Sequence, residues 1–500
     1  MNFKSIRKKA FALWEATEHS GQKVARGSVL VVAERFVIKA VQFVRTVIVA
    51  RLLFPDDIGL FGMATLAMGV TEAFVQTGFN AAIVQEKGDV RRHLDSAWTV
   101  NVIRGIAVAL LLLFVIAPLA GGFFANEQVT PLIRALALIV FMGGFENIGI
   151  VLLQRELRFG RQVLYDVSGV IVETIGVIVG VIMLKNAWGL VFGSLAGRTA
   201  YLVASYALHS YRPRFILDVS GAKYLFGFGK WIGASGIVTF FASSGDNLMA
   251  GKLLGASALG FYQIAFALGT LPAVEIGRVL GKVFFPAYAR FQEDRERLVS
   301  AFFRVSQMVF LITIPASVGL AALAPEIVSF VYSSRWLPMV PALYVIALYG
   351  LLKSFDFLVT PLFLAIGKPH VQTFALVIQA SVMFLLIIPF THAYGIVGVA
   401  WAATAGLCAA QAMLFWRLRR EMPIMNALVF LKLFSVPAAG SAIMAFFVLF
   451  SKSIAPPESI FFLLLYIAYG MAVYFGTVFF LDKMSGGKLY ESLIWIRKNV

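Results

Sequence analysis

Apolar residues along the chain come in runs of about 20, the length an α-helix needs to cross a hydrocarbon core of about 30 Å. Between turn signals the runs fall near 28–50, 58–80, 96–120, 130–152, 164–184, 187–209, 222–245 and 257–280. Six more follow at 301–324, 338–366, 370–392, 395–416, 430–451 and 459–481. The pattern predicts an all-α polytopic membrane protein with about fourteen transmembrane helices. No interval between the runs is long enough for a soluble domain.

The runs repeat. Shifted by 201 positions, ARLLFPDDIGLFGMA (50–64) overlays GKLLGASALGFYQIA (251–265), matching Leu52 with Leu253, Leu53 with Leu254, Gly59 with Gly260 and Ala64 with Ala265. WGLVFGSLAG (188–197) resembles YGIVGVAWAATAG (394–406) in the same way. Six helices per half is even, so the halves run the same way through the membrane, the parallel-repeat plan of many carriers, which place their site between the halves near the midplane. The expected division is a basic N-terminal segment (1–27), two parallel six-helix bundles (28–210 and 211–416), and two additional helices with a tail (417–500).

Composition agrees with the span count. Hydrophobic residues make up 60% of the 500, charged residues 14%, and the mean hydropathy is +0.85, against about 25% charged in an average soluble domain. The net charge of +17 is largely a topology signal. Lys and Arg in the segments that share a side with the termini outnumber those in the opposite loops by 27 to 5. By the positive-inside rule both termini are expected in the cytoplasm, and nucleic-acid binding is not needed to explain the charge. Met1 to Arg26 lacks the short apolar core and small-residue cleavage site of a signal peptide. Phe3, Ile6, Ala10, Leu13 and Trp14 recur at helical spacing among its basic residues, as in an amphipathic helix on an anionic membrane surface; a disordered basic tail fits equally. The single cysteine, Cys408, has no partner for a disulfide or thiolate metal site. No metal or cofactor is expected.

The remaining basic residues fall inside the expected spans: Arg35, Lys39, Arg45, Arg104, Arg134, Arg198, Lys230, Arg278, Arg304, Lys353 and Lys432. Glu34, Glu72, Glu146, Asp166, Glu173, Asp246, Glu275 and Asp356 join them. Each would cost about 2.5–3.5 kcal/mol facing lipid at mid-depth, so several must face water or one another. Arg134, Arg278, Arg304 and Lys432 lie close enough to span ends to snorkel. Lys39, Arg198 and Lys353 lie near mid-span. Arg35, Lys39, Gln42 and Thr46 share one helical face, flanked by Arg45, as expected of a helix lining a wet cavity. The competing reading is a set of internal ion pairs locking helices together, for which Lys353 with Asp356, or Glu275 with Arg278, have suitable spacing. A cavity with surplus positive charge attracts anions, phosphate foremost.

ARLLFPDDIGLFGMATLAMGVTEAFVQTGFNAAIVQ (50–85), LLQRELRF (152–159) and DNLMAGKLLGASALGFYQIAFALGTLPA (246–273) resemble the Wzx-type polysaccharide flippases of the multidrug/oligosaccharidyl-lipid/polysaccharide exporter superfamily. One departure is Phe54, where that family often has Gly before the proline. The resemblance implies two six-helix bundles that open alternately to each side of the bacterial inner membrane. It also implies a lipid-linked oligosaccharide substrate, carried on undecaprenyl pyrophosphate, and partners among the polysaccharide polymerase and export machinery. On that reading Arg35, Lys39, Arg45, Arg198, Lys230 and Lys353 form a cationic cavity for pyrophosphate or acidic sugars. Asp246, Glu173 or Asp356 would carry a coupling ion.

Two rivals remain. A multidrug exporter of the same superfamily would need acids at mid-depth for cationic drugs, whereas basic residues prevail here. A membrane-embedded polysaccharide polymerase or ligase would need a large outer loop or a catalytic cluster. His19, His93, His209, His370 and His392 lie in tails, loops or span ends and form no such constellation. The sequence therefore points to a transporter rather than an enzyme.

Overall fold

The computed structural model describes residues 33–75, 91–156, 158–216, 219–423 and 427–484. The basic N-terminal segment and the residues after 484 lie outside the described residues, as does the amphipathic reading of Phe3 to Trp14. Among the described residues the regular structure is helical throughout, with no strand. Among the described residues nine helical stretches are long and apolar enough to cross a membrane by length and composition. Large side chains that a soluble protein would cover stand outward, among them Phe114, Met183, Leu385 and Phe479, each at least 74% exposed. On helices of this length such a surface is matched by lipid. The chain is an all-α, multi-pass membrane protein.

It divides into two compact units. The first comprises residues 1–54 and 67–237, the second 55–66 and 238–500. The described α-helices of ten or more residues are α1 (33–52), α2 (Pro55–Val75), α3 (Arg91–Leu111), α4 (Val129–Gly144), α5 (Phe159–Leu184), α6 (Trp188–Leu208), α7 (Val219–Arg290), α8 (Arg295–Ala322), α9 (Val340–Lys353), α10 (Asp356–Ala365), α11 (His370–Glu421), α12 (Ala427–Ile454) and α13 (Ile460–Met484).

In the first unit, α5 and α6 form a hairpin packed backbone to backbone. Lys185 in the left-handed region (φ 51°) ends α5, and Asn186 Oδ1 accepts from Trp188 N at 3.0 Å to start α6. Glycines supply the close approach. A Cβ on Gly180 would lie 2.7 Å from Gly189 O, and one on Gly193 would lie 2.3 Å from Val177 N. The glycines at 189, 193 and 197 recur every four residues on one face of α6, the small-residue seam by which membrane helices associate without a hydrophobic driving force. After α3 the helix passes through a π turn, Leu112–Ile116, into Ala117–Phe124. Irregular turns misalign backbone acceptors; here side chains of α4 supply donors, Arg134 Nε to Leu113 O and Thr130 Oγ1 to Ala117 O.

The segment after α6 is strapped down. Asp95 on α3 accepts from the Tyr211 hydroxyl, and from Arg214 N at 2.8 Å. Thr99 Oγ1 accepts from Ile216 N, and Asn147 Nδ2 donates to Tyr211 O at 2.6 Å. Burial, and then the neighbouring Asp95 carboxylate, push the Tyr211 hydroxyl well above its ordinary pKa.

Within the second unit one glycine folds each of two long helices, α7 and α11. Gly255 (φ 84°) breaks α7 and Gly395 (φ 56°) breaks α11, conformations that exclude a Cβ at little cost only in glycine. Both breaks are reversals. Tyr262 reaches back to Asp246 across the first, and Gly398 lies against Phe390 O across the second. The reversals fall where the sequence pattern separates 222–245 from 257–280 and 370–392 from 395–416. Asp294 accepts from Arg297 N to cap α8. A core of Phe302, Phe310, Leu358, Phe363 and Leu414 joins α8, α10 and α11. Met444, Val448, Tyr474 and Val478 pack α12 and α13 together with Leu323.

Candidate functional site

In the first unit the fold gathers charge around α6. Arg45 on α1 donates from Nη1 to Glu173 Oε1 on α5 at 2.6 Å. Arg198 on α6 faces Glu146, just after α4, with Nη1–Oε1 at 3.0 Å. The two pairs are neighbours through the chain itself. Glu173 lies along Gly197, where a Cβ would come within 2.5 Å of its own Cβ, and Arg198 is the next residue. Gly143 makes room for the guanidinium, since a Cβ there would lie 2.1 Å from Arg198 Nη2. Tyr165 neighbours Glu146, and its ring lies 5.2 Å from that of Tyr201, whose hydroxyl donates to Asp166 O. Arg104 on α3 is within electrostatic range of Glu72 and Arg198.

The pairs are neither sealed nor saturated. Side chains of Arg45, Glu173, Arg198 and Glu146 keep 20%, 28%, 28% and 21% of their surface accessible. At the second pair, Arg198 Nε and Glu146 Oε1 are buried atoms without a hydrogen-bond partner. A guanidinium offers five N–H donors in a planar fork, and the Arg198 fork is far from filled. Stripping the carboxylate from such a pair without replacing it leaves an uncompensated cation within a membrane span, which is unfavourable. A ligand that takes its place must therefore be an anion.

The second unit holds another polar string, across the Gly255 reversal and its neighbours. Asp246, 3% exposed, accepts from Tyr262 Oη at 2.8 Å and from Asn247 N and Nδ2 at 2.8 and 3.1 Å. All of these donors are neutral. Tyr262, Phe266 and Tyr349 form a ladder of rings with centroids 5.9 and 5.4 Å apart. Gln379 Nε2 donates to Ala242 O and reaches Tyr349 Oη. One turn from Tyr349, Lys353 pairs with Asp356 at 2.5 Å, and Asp356 Oδ1 also accepts from Gln411 Nε2 at 2.6 Å.

Of the six cations expected to line a cavity, Arg45 and Arg198 thus lie in one cluster of the first unit. Lys353 lies in the second unit with its own carboxylate. Arg35 and Lys39 stand exposed on α1. Lys230 falls on α7, but its side chain lies outside the described residues, as do those of Arg278 and Lys432. Of the expected ion carriers, Glu173 and Asp356 are each paired to a cation, and Asp246 is held by neutral donors. Glu146, Tyr165, Tyr262, Gln379 and Gln411 enter the site only with the structure. Opposite charges in separate apolar spans, Glu146 and Arg198, were the available signal. Among the described residues no group of three or more His, Cys, Asp or Glu is placed to hold a metal ion.

Several known proteins are similar to the chain. The chain is 25% identical to the teichuronic acid biosynthesis protein TuaB of Bacillus subtilis (strain 168) over 278 residues, 55% of this chain and 57% of that one. It is 25% identical to the lipopolysaccharide biosynthesis protein WzxC of Escherichia coli (strain K12) over 320 residues, 62% of this chain and 63% of that one. The succinoglycan biosynthesis transport protein ExoT of Rhizobium meliloti (strain 1021) matches at 25% over 311 residues, 61% of this chain and 62% of that one. The chain spans less than two thirds of the length of each of these relatives. Among solved structures, the lipid II flippase MurJ in an inward closed conformation superposes with a TM-score of 0.75 over 90% of this chain and 98% of that one, at 16% identity. An inward-facing multidrug resistance MATE family transporter of the MOP superfamily gives 0.62 over 77% and 94%, at 17% identity. Identities this low speak to the fold alone. The profile of the family described as polysaccharide biosynthesis protein matches residues 48–341, more than half of the sequence. The chain belongs to that polysaccharide biosynthesis protein family.

Proposed function

We propose that the chain is a transporter that flips lipid-linked oligosaccharide repeat units, carried on undecaprenyl pyrophosphate, across the bacterial inner membrane for surface or exopolysaccharide assembly. The observation that carries this reading is the pair of arginines, Arg45 and Arg198, held accessible inside a membrane-embedded helical unit of a chain of this family. Lipid rejects the sugar and the pyrophosphate but admits the polyprenyl tail, so a carrier needs polar cover for the head group alone. Guanidinium forks supply it, because they bind phosphate oxygens bidentately. Lys39, Arg35, Lys230 and Lys353 extend the cationic set, and the two six-helix halves exchange access between the leaflets, with both termini cytoplasmic. Asp246, which lacks a cationic partner among its hydrogen bonds, is the carboxylate best suited to take up a coupling proton or monovalent cation; Glu173 and Asp356 are the further carriers. Polysaccharide polymerase and export proteins would receive the product. No catalytic group is required.

The test is complementation of a host lacking its own flippase. Arg45→Gln with Arg198→Gln is expected to abolish polysaccharide export while complete lipid-linked units accumulate on the cytoplasmic side. Normal export by a stably inserted double variant would refute the proposal.

A further inference from the structure

Two carboxylates in the first unit have no part in a purely cationic site, and their geometry gives them one. We propose that Glu146 and Glu173 are resident counter-ions which the anionic head group of the substrate displaces from Arg198 and Arg45; this rests on the function proposed above. In the empty protein each carboxylate neutralises an arginine at membrane depth. In the loaded protein the substrate's oxyanion does so, and the carboxylate returns when the head group leaves.

The observations favour exchange over a permanent lock. The Glu173 bond runs from Arg45 Nη1 alone. Glu146 approaches Arg198 at 3.0 Å without hydrogen-bond geometry at Oε1, and leaves Arg198 Nε buried and unpartnered. A tetrahedral phosphate can fill a fork that one carboxylate oxygen leaves open. All four side chains keep a fifth or more of their surface accessible, so an incoming anion can reach the guanidinium before the carboxylate departs. Glu146 also has a second polar neighbour, the Tyr165 hydroxyl, which can hold it while Arg198 is occupied. Glu173 packs against Gly197, the residue before Arg198, so the two ion pairs are neighbours and suit a ligand with two linked oxyanions, as in a pyrophosphate diester. A substrate that binds by displacing an internal anion binds less tightly than to a bare arginine, and it leaves more readily. Release is what a flippase must accomplish on the far side.

The experiment uses the full chain in phosphatidylcholine nanodiscs, with inorganic pyrophosphate as one probe and glucuronate as the other. Arg45→Gln and Arg198→Gln are expected to lose pyrophosphate affinity. Glu146→Gln and Glu173→Gln are expected to gain about tenfold, within the range usual for coupled sites, and to export less polysaccharide in cells. Glutamine variants that bind no better than the wild type, while the arginine variants lose binding, would overturn the exchange and leave the proposed function standing. Arginine variants that bind normally would overturn both. Glucuronate that gains affinity where pyrophosphate does not would assign the site to an acidic sugar, and that outcome overturns the pyrophosphate assignment. The wild-type chain gives a second readout that no variant's folding can spoil. Adding pyrophosphate should shift the infrared carboxylate stretch of isotope-labelled glutamate as the ion pairs open, and an unchanged band contradicts displacement.

Discussion

Gly59 and Gly260, equivalent in the 201-residue repeat, meet the same equivalent partners. A Cβ on Gly59 would lie 1.7 Å from Ala256 O, and one on Gly260 would lie 2.0 Å from Pro55 O. Pro55 and Ala256 are themselves 201 apart, and Gly62 is packed under Gln263, its own repeat equivalent. The internal repeat is therefore expressed as a two-fold-like contact inside the second unit, to which residues 55–66 belong.

Gly59→Ala and Gly260→Ala should each destabilise the protein by at least the about 1–3 kcal/mol of an overpacked contact, and by similar amounts because the contacts are equivalent. Gly122→Ala and Gly476→Ala, where a Cβ meets nothing within 4 Å, serve as controls. Each sits on a helix and should be neutral or stabilising by up to about 1 kcal/mol. Thermal unfolding in detergent compares them.

The Lys353–Asp356 pair gives a cleaner energetic test. Lys353→Met strands Asp356, whose side chain is 9% exposed, and should cost about 3–5 kcal/mol. Lys353→Met combined with Asp356→Leu should recover most of that loss. A double variant no more stable than the single one would show that Asp356 is held by Gln411 alone.

The strap at Tyr211 should respond to alkali with a definite sign. Its hydroxyl has a raised pKa in the folded chain, so its contribution is whole below the ordinary tyrosine value of about 10 and is lost as pH climbs past that toward the folded value. Proteolysis within 209–216 should be flat between pH 7 and 10 and accelerate above it. Tyr211→Phe should cleave faster at neutral pH and lose the alkaline acceleration due to this residue.

Asp246→Asn should preserve the fold, because the amide oxygen can still accept from Asn247 while the amide NH2 in place of Oδ2 donates to the Tyr262 hydroxyl oxygen. Transport by this variant is expected to lose its response to an imposed proton or sodium gradient. A retained response would move ion coupling to Glu173 or Asp356.

Much of this was legible in the chain. The runs of about 20 apolar residues mark the helices because lipid dictates their length. Gly255 falls in the interval between the runs at 222–245 and 257–280. Its equivalent in the repeat, Phe54, marks the matching break between α1 and α2 without a glycine. The three-residue spacing of Lys353 and Asp356 announces their pair. The Arg45–Glu173 and Arg198–Glu146 pairs are invisible to any local pattern, since their partners are 128 and 52 residues apart and the choice among several buried acids is made by which helices pack. The glycine seam of α5 and α6 brings Glu173 beside Arg198, and helical spacing displays that seam without assigning it a partner. The stripe Arg35–Lys39–Gln42–Thr46 shows the converse. Shared helical face was legible; the flanking Arg45 pairs with Glu173, while Arg35 and Lys39 stand exposed.

The most direct measurement of the central claim is flipping in proteoliposomes loaded with a fluorescent pyrophosphate-linked oligosaccharide lipid. The account predicts that Arg45→Gln with Arg198→Gln, compared at equal amounts of inserted protein, slows appearance in the opposite leaflet by at least about tenfold, the loss of some 1.4 kcal/mol of barrier lowering. A double variant that flips the lipid at the wild-type rate would contradict it.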